Sequence, residues 1–306
     1  MRSLIDILEL STEEIDRLIE VAEDIIANPA KYSHILAGKK LASLFFEPST
    51  RTRLSFEAAM YELGGNVLGF SEADSSSAAK GESVADTAKT VSCYADIIAM
   101  RHPKEGAPMV AAMNASIPVI NAGDGGHNHP TQTLADLLTI YEHKGTLEGL
   151  KLAFIGDGAN NMGHSLMLGC SKLGLNVAIG SPKGYHPDPE IEGWARENAK
   201  AFGSEVLITE DYMEAAKDAD VIYTDVWSSM GMESEIEQRK KIFAGCCVDD
   251  KLMSVAKPDA IFLHCLPAHR GEEVSASVID GPHSVVFDEA ENRLHAQKAV
   301  MALLMK

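Results

Sequence analysis

Apolar and polar positions along the chain fall into two successive alternating series. Short apolar runs at 41–46, 66–70, 96–100 and 117–121 are separated by segments with helical spacing near 53–63, 83–93 and 106–115. Such alternation predicts parallel strands covered by helices on both faces. Ahead of this series, residues 3–36 carry two helical patterns, and Ser11-Thr12-Glu13-Glu14 starts the one that runs through Ile15, Leu18 and Ile19 to Ile26. After a long helix at 131–143 the composition changes at Lys144–Leu150, and a second series begins with strands expected at 151–155, 176–180, 205–208, 220–224, 260–264 and 284–287. The segment Glu289–Lys306 reads as one helix with apolar Leu294, Ala299, Val300, Leu303 and Leu304, suited to crossing back over the first domain. The pattern therefore predicts two α/β domains, 1–146 with 289–306 packed onto it, and 147–288.

A length of 306 residues fits two cores better than one. No apolar run approaches the roughly 18 residues that cross a bilayer, and the acidic start Met1-Arg2-Ser3-Leu4-Ile5-Asp6 is unlike a secretory signal, so a soluble cytoplasmic protein is expected. Five scattered cysteines, an odd number, speak for reduced thiols. With 27 basic against 45 acidic residues the net charge is -18, which argues against nucleic acid or an anionic membrane as partner. A chain this acidic holds a phosphorylated substrate only by focusing its arginines into one pocket.

Phe46-Glu47-Pro48-Ser49-Thr50-Arg51-Thr52-Arg53 is the stretch with that character. It joins a buried strand to a helix start, where free amides and the positive dipole end attract an anion and Arg51 adds a fork matched to phosphate oxygens. The plainer alternative is that Ser49 caps the helix while Arg51 and Arg53 are solvated. Ligands of parallel sheets collect outside the carboxyl ends of the strands, and Arg101-His102 and Asn121–Gly125 stand at two further such ends. The latter continues into His129-Pro130-Thr131-Gln132, with Pro130 in a first helical turn, His129 at the helix mouth and Gln132 on nearly the same face. There a histidine stays neutral and donates a hydrogen bond, or simply caps. The Ser71–Ser83 loop holds Lys80 among small polar residues, either a linker or a gate for an anion.

In the second series Gly156-Asp157-Gly158 lacks the full dinucleotide spacing, and no acid closes the next strand to hold a ribose, so nicotinamide chemistry is a poor fit. Asn160 and Asn161 offer amides for the charged ends of an amino acid. Asp225 at a strand end, followed by Ser228-Ser229-Met230-Gly231, pairs with an ammonium or caps a helix beginning near 232. In His264-Cys265-Leu266-Pro267 adjacent strand residues face opposite ways, so His264 is badly placed to activate Cys265. A zinc site from His264, Cys265 and His269 lacks paired spacing. Arg293 falls in the first turns of the last helix, by default a surface position.

Taken in order, these motifs resemble the aspartate/ornithine carbamoyltransferase family over essentially the whole chain, from Ser49-Thr50-Arg51-Thr52 to Arg293. The resemblance implies two doubly wound parallel-sheet domains with the active site in the cleft between them, the first for carbamoyl phosphate and the second for the amine acceptor. It also implies a homotrimer or multiple of trimers. Carried over residue by residue, Ser49, Thr50, Arg51 and Thr52 hold the phosphate, and Arg101, His129 and Gln132 the carbamoyl group, with Cys265, Leu266 and Arg293 completing the donor set. Arg101, His129, Asp225 and Cys265 are the implied catalytic residues. Ser76 and Lys80 resemble a pair that aspartate enzymes lend to a neighbouring subunit, and that loop and the Phe-Glu-Pro-Ser-Thr opening look aspartate-like.

The second domain points the other way. Where aspartate enzymes place arginines, residues 159–162 and 225–231 have none, and a buried dicarboxylate without a cation is heavily penalised. Asn161, Asp225, Ser229 and Met230 resemble the set that binds ornithine. The expectation is carbamoyl transfer to the δ-amine of L-ornithine, giving L-citrulline and phosphate in arginine metabolism, without metal or organic cofactor. Alternatives are transfer to putrescine or aspartate, or a non-catalytic anion-binding regulatory protein.

Overall fold

The computed structural model describes residues 3–72, 77–228 and 235–305. The chain divides into two compact units, Met1–Leu138 with Glu291–Lys306, and Thr139–Ala290. Both divisions fall inside helices, Pro130–Lys144 and Val286–Leu304. The sequence places its boundaries at 146, where composition changes, and at 288, before the expected last helix, because a helix shared by two units carries no composition signal where they part.

The first unit contains β1 (Lys40–Phe45), β2 (Asn66–Phe70), β3 (Ile97–His102) and β4 (Val119–Asp124), all parallel, in the order β2-β1-β3-β4. The second contains β5 (Lys151–Ile155), β6 (Asn176–Gly180), β7 (Val206–Thr209), β8 (Val221–Thr224) and β9 (Ile261–Leu263), also parallel, in the order β7-β6-β5-β8-β9. Central strands are buried on both faces, as in β3, where every residue is buried. That is why they read as unbroken apolar runs and need helices above and below. Each unit has apolar core residues of its own: Ala42, Leu44, Ile98, Met100 and Val119 in one, and Ala153, Ile155, Ile222 and Phe262 in the other.

Helix Thr12–Ala27 opens with a capping box, Ser11 accepting from the Glu14 amide while the Glu14 carboxylate accepts from the Ser11 amide. Its buried stripe, Ile15, Leu18, Ile19, Ala22 and Ile25, follows the helical period. One expected strand is absent. The run 284–287 gives a single bridge, Ser284 to Phe262, and then helix Val286–Leu304 begins. Val285-Val286-Phe287 favours strand by residue type, but the Glu289 amide donates to the Val285 carbonyl at 3.0 Å and closes a helical turn. A short apolar run carries no period long enough to separate the two outcomes.

The strand orders matter for function. In the first unit the winding reverses between β1 and β3, in the second between β5 and β8. At such a switch point the helices leave to opposite faces and a crevice opens at the carboxyl ends. The segment beginning at Ser49 and Arg101 lie at the first switch point; the Gly156–Asn161 turn and Asp225 lie at the second.

Asn121 shapes the turn beside the first of these. It is fully buried, its amide nitrogen donating to the Ile5 carbonyl and to Asp124, and its oxygen accepting from the Gly123 amide at 2.9 Å. Asn121→Ala leaves these buried groups unmatched and is expected to cost about 2 kcal/mol or more in urea unfolding; an unchanged midpoint would remove this turn as a support.

Candidate active site

The first half-site is built where β1 gives way to helix Thr50–Glu62. Ser49 is the cap residue, but its side chain makes no capping hydrogen bond and instead donates to Thr52 Oγ1 at 2.9 Å. The leading amides of this helix are therefore not occupied by the Ser49 hydroxyl, which suits an anion. Arg51 Nε is buried without a hydrogen-bond partner among the described residues. Thr50 is exposed at the first helical position. Arg293, on the last helix, is buried and donates through Nη2 to Thr52 Oγ1, so the Arg293 side chain expected at the surface belongs to this cluster.

Arg101 stands at the end of β3, where the pairing with β4 shifts register between Met100 and His102. Such an irregularity re-aims a side chain out of the ladder. Its Nε donates to Glu47 at 2.5 Å and its Nη1 to the Ala122 carbonyl at 3.4 Å. Gly123, with φ +112°, makes room for it: a Cβ there falls 2.2 Å from Arg101 Nη1. His129 is buried at the mouth of helix Pro130–Lys144, with Thr131 Oγ1 3.4 Å from its Nδ1. Burial first, then repulsion from Arg101 and Arg293, holds the imidazole well below the usual histidine range. It is neutral at working pH and has an N–H to give. Gln132 donates its amide to Asp136 at 2.8 Å, which fixes the side chain.

The second half-site centres on Asp225, just past β8 and buried. Cys265 Sγ donates to Asp225 Oδ1 at 3.2 Å, Asn160 Nδ2 to Oδ2 at 3.2 Å, and the Val226 amide to Oδ1 at 2.8 Å. Asn160 also accepts from the Gly163 amide and caps helix Asn161–Lys172, so Asn160 touches Asp225 while Asn161 is the first helical residue beside it. Asp157, in the same turn, forms a buried ion pair with Arg239, whose Nε donates to the Trp227 carbonyl and whose guanidinium lies 5.0 Å above the Tyr185 ring. One guanidinium thus ties the Asp157–Asn160 turn to the segment after Asp225.

His264 does not face Cys265 chemically. Its Nδ1 accepts from the Leu266 amide at 2.9 Å and its Nε2 lies 3.2 Å from Glu273. Asp225, His264 and Cys265 do bring donor atoms within 4.8 Å of one another, but with Nδ1 engaged this way the imidazole has no spare lone pair for a metal.

Of the residues singled out in the sequence, contacts join Ser49, Thr52 and Arg293, charge joins Arg101 and Arg293 to His129, and a hydrogen bond joins Asp225 to Cys265. Leu266 adjoins Cys265 in the second unit. Lys80 ends a short 3-10 turn and is exposed. Ser76, Ser229 and Met230 lie outside the described residues. Sequence reasoning passed over Glu47, Asp157, Arg239 and Glu273. Of these only Glu47 had a local cue, its place directly before Pro48 in the anion-binding stretch.

The cradle at Gly123 gives a direct test. Gly123→Ala drives the Arg101 guanidinium from its place, so titration calorimetry with carbamoyl phosphate should show affinity reduced tenfold or more; equal affinity in both proteins would put Arg101 outside the site.

Family profiles cover both units. Residues 2–142 match the carbamoyl-P binding domain of aspartate/ornithine carbamoyltransferase, and residues 148–304 its Asp/Orn binding domain. Among curated proteins, the ornithine carbamoyltransferase of Thermococcus kodakarensis is 50% identical over 306 residues, 99% of this chain and 96% of that one. That of Bacillus subtilis is 50% identical over 304 residues, covering 99% and 94%. Among solved structures, ornithine carbamoyltransferase from Pyrococcus furiosus superposes with a TM-score of 0.94 at 48% identity, covering 99% of this chain and 97% of that one. The Giardia lamblia ornithine transcarbamoylase gives 0.90 at 37%, covering 99% and 98%. With the two profiles matched over residues 2–142 and 148–304, and relatives half identical across their length, the chain belongs to the aspartate/ornithine carbamoyltransferase family.

Proposed function

We infer that the protein transfers the carbamoyl group of carbamoyl phosphate to the δ-amine of L-ornithine, forming L-citrulline and phosphate. Residues 1–146 act as the carbamoyl-phosphate domain and 147–288 as the ornithine domain. The observation that carries the choice of acceptor is the Asp225 carboxylate held by Cys265 and Asn160, in a region whose nearby arginine, Arg239, is committed to Asp157 and the Trp227 carbonyl. A carboxylate with no available guanidinium welcomes an ammonium-bearing amino acid and repels a dicarboxylate. The curated relatives named above as ornithine carbamoyltransferases agree with this choice.

The chemistry follows from charge. The unprotonated δ-amine attacks the carbonyl carbon, and negative charge grows on the carbonyl oxygen. Arg101, neutral His129 and Thr52 stabilise it, with Gln132 on the carbamoyl amide and Arg293 closing that side. The C–O bond to phosphate then breaks, the nitrogen gives up its extra proton, and the phosphate leaves against Ser49, Thr50, Arg51, Thr52 and the helix amides. Asp225 and Cys265 orient the amine, while Asn161, Ser229 and Met230 hold the α-amino and α-carboxylate ends and Leu266 contacts the donor.

The working form we propose is a homotrimer or a multiple of it in the cytoplasm, and the exposure of Lys80 suits a side chain offered, with Ser76, to a neighbouring subunit. No helix among the described residues is long and apolar enough to cross a membrane.

Phosphate release from carbamoyl phosphate with ornithine, aspartate, putrescine or lysine as acceptor tests the assignment. Ornithine should dominate, and Arg51→Ala should lower kcat about a hundredfold or more. Dominant turnover of aspartate or putrescine, or a fully active Arg51→Ala protein, would overturn it.

A further inference from the structure

Two buried carboxylates outside the half-sites described above converge on the turn that carries Cys265. The His264 backbone amide donates to Glu289 Oε2 at 2.8 Å, and Glu289 Oε1 accepts from the Tyr223 hydroxyl at 3.2 Å. Tyr223 lies on β8, two residues before Asp225, and His264 directly follows β9. Glu289 thus links the ends of the neighbouring strands that present Asp225 and Cys265.

Glu273 acts on the other side of the turn. Because the Leu266 amide donates to His264 Nδ1, the ring hydrogen is on Nε2, and it is donated to Glu273 Oε1 at 3.2 Å. The same oxygen accepts from the His269 amide at 2.6 Å. Glu273 and His264 are both fully buried. Burial raises the Glu273 carboxyl, but the hydrogen bonds from His264 and the His269 amide outweigh it and leave the group below its ordinary value. Residues 264–269 are thereby clamped at both ends by one carboxylate oxygen. The clamp encloses Leu266, whose φ of +58° is a left-handed conformation that a leucine does not adopt without support. It also encloses Cys265, which must keep its sulfur 3.2 Å from Asp225.

We propose that Glu273 is a positioning residue for the acceptor half-site: through His264 and the His269 amide it holds the Cys265–Leu266 turn in the one conformation that sets the thiol against Asp225. The role rests on the ornithine assignment for its kinetic consequence, though not for its structural one. Glutamine at 273 keeps an oxygen for both donors, whereas alanine removes it and aspartate, one methylene shorter, withdraws it from both.

Two measurements on the full-length protein separate the claims. The first needs no substrate: alkylation of individual cysteines by iodoacetamide, read by peptide mass spectrometry. Glu273→Ala should alkylate Cys265 about tenfold faster than wild type while the buried Cys170, in helix Asn161–Lys172, keeps its rate. Glu273→Gln should return Cys265 to within about twofold of wild type, and Glu273→Asp should fall between and replaces the alanine variant if that fails to fold.

The second is steady-state kinetics, where the ornithine KM rises about tenfold in Glu273→Ala and is restored in Glu273→Gln. A wild-type Cys265 rate in both shortened variants overturns the positioning role, as does a parallel rise at Cys170, which marks general loosening. If wild type itself turns over no ornithine, the assignment of function fails while the alkylation result still decides the role of Glu273.

Discussion

A guanidinium taken out of water beside a single carboxylate governs the first half-site. Arg101 is 8% exposed and has Glu47 as its ion-pair partner; Arg293, 4% exposed, gives a hydrogen bond to a threonine hydroxyl. Two cations this poorly hydrated raise the potential around them, and in a chain of net charge -18 that positive focus is confined to a small volume. His129 is held neutral first by its burial and then by the same field, since a third positive charge there would meet two like neighbours. Such a field, beside the leading amides of helix Thr50–Glu62 that the Ser49 hydroxyl leaves open, suits an anion.

Topology places these groups and local chemistry refines them. Reversal of the winding between β1 and β3 opens the crevice into which Ser49–Thr52 and Arg101 project, and reversal between β5 and β8 does the same for Asn160 and Asp225. Arg101 then depends on an irregular strand pairing and on the absence of a side chain at Gly123. Asp225 depends on three donors from three separate segments, and Arg239 and Glu289 bind those segments to one another.

The strands and the motifs at their ends were legible in the sequence because buried parallel strands announce themselves as apolar runs and because Pro48 and Pro130 mark the turns into helices. Partnerships across long stretches of chain were not. Arg239 meets Asp157 from 82 residues away and Arg101 meets Glu47 from 54, and no local period encodes either. Arg293 looked like a surface residue because the apolar pattern of its helix predicted packing on the first unit but not that a charged side chain among those positions would be buried against Thr52. Asn160 and Asn161 differ by one position at a helix cap, and only the backbone geometry decides which amide turns towards Asp225. The strand expected at 284–287 failed for the opposite reason: residue type favoured it, and the helical turn closed by Glu289 prevailed.

The protonation state of His129 reports on the central cluster most directly. Proton–nitrogen correlation spectra of imidazole-labelled protein, with the signal assigned by its loss in His129→Gln, follow it without substrate. Since the folded-state value lies below the free one of 6.5, only the unfolded chain takes up the proton as pH falls through that value, and His129 lowers stability on the acid side alone. The expected result is a ring still neutral at pH values below 6.5, where a free imidazole has taken up its proton. A ring that titrates at or above the free value would contradict it, because His129 could not then be buried beside the guanidinium groups of Arg101 and Arg293.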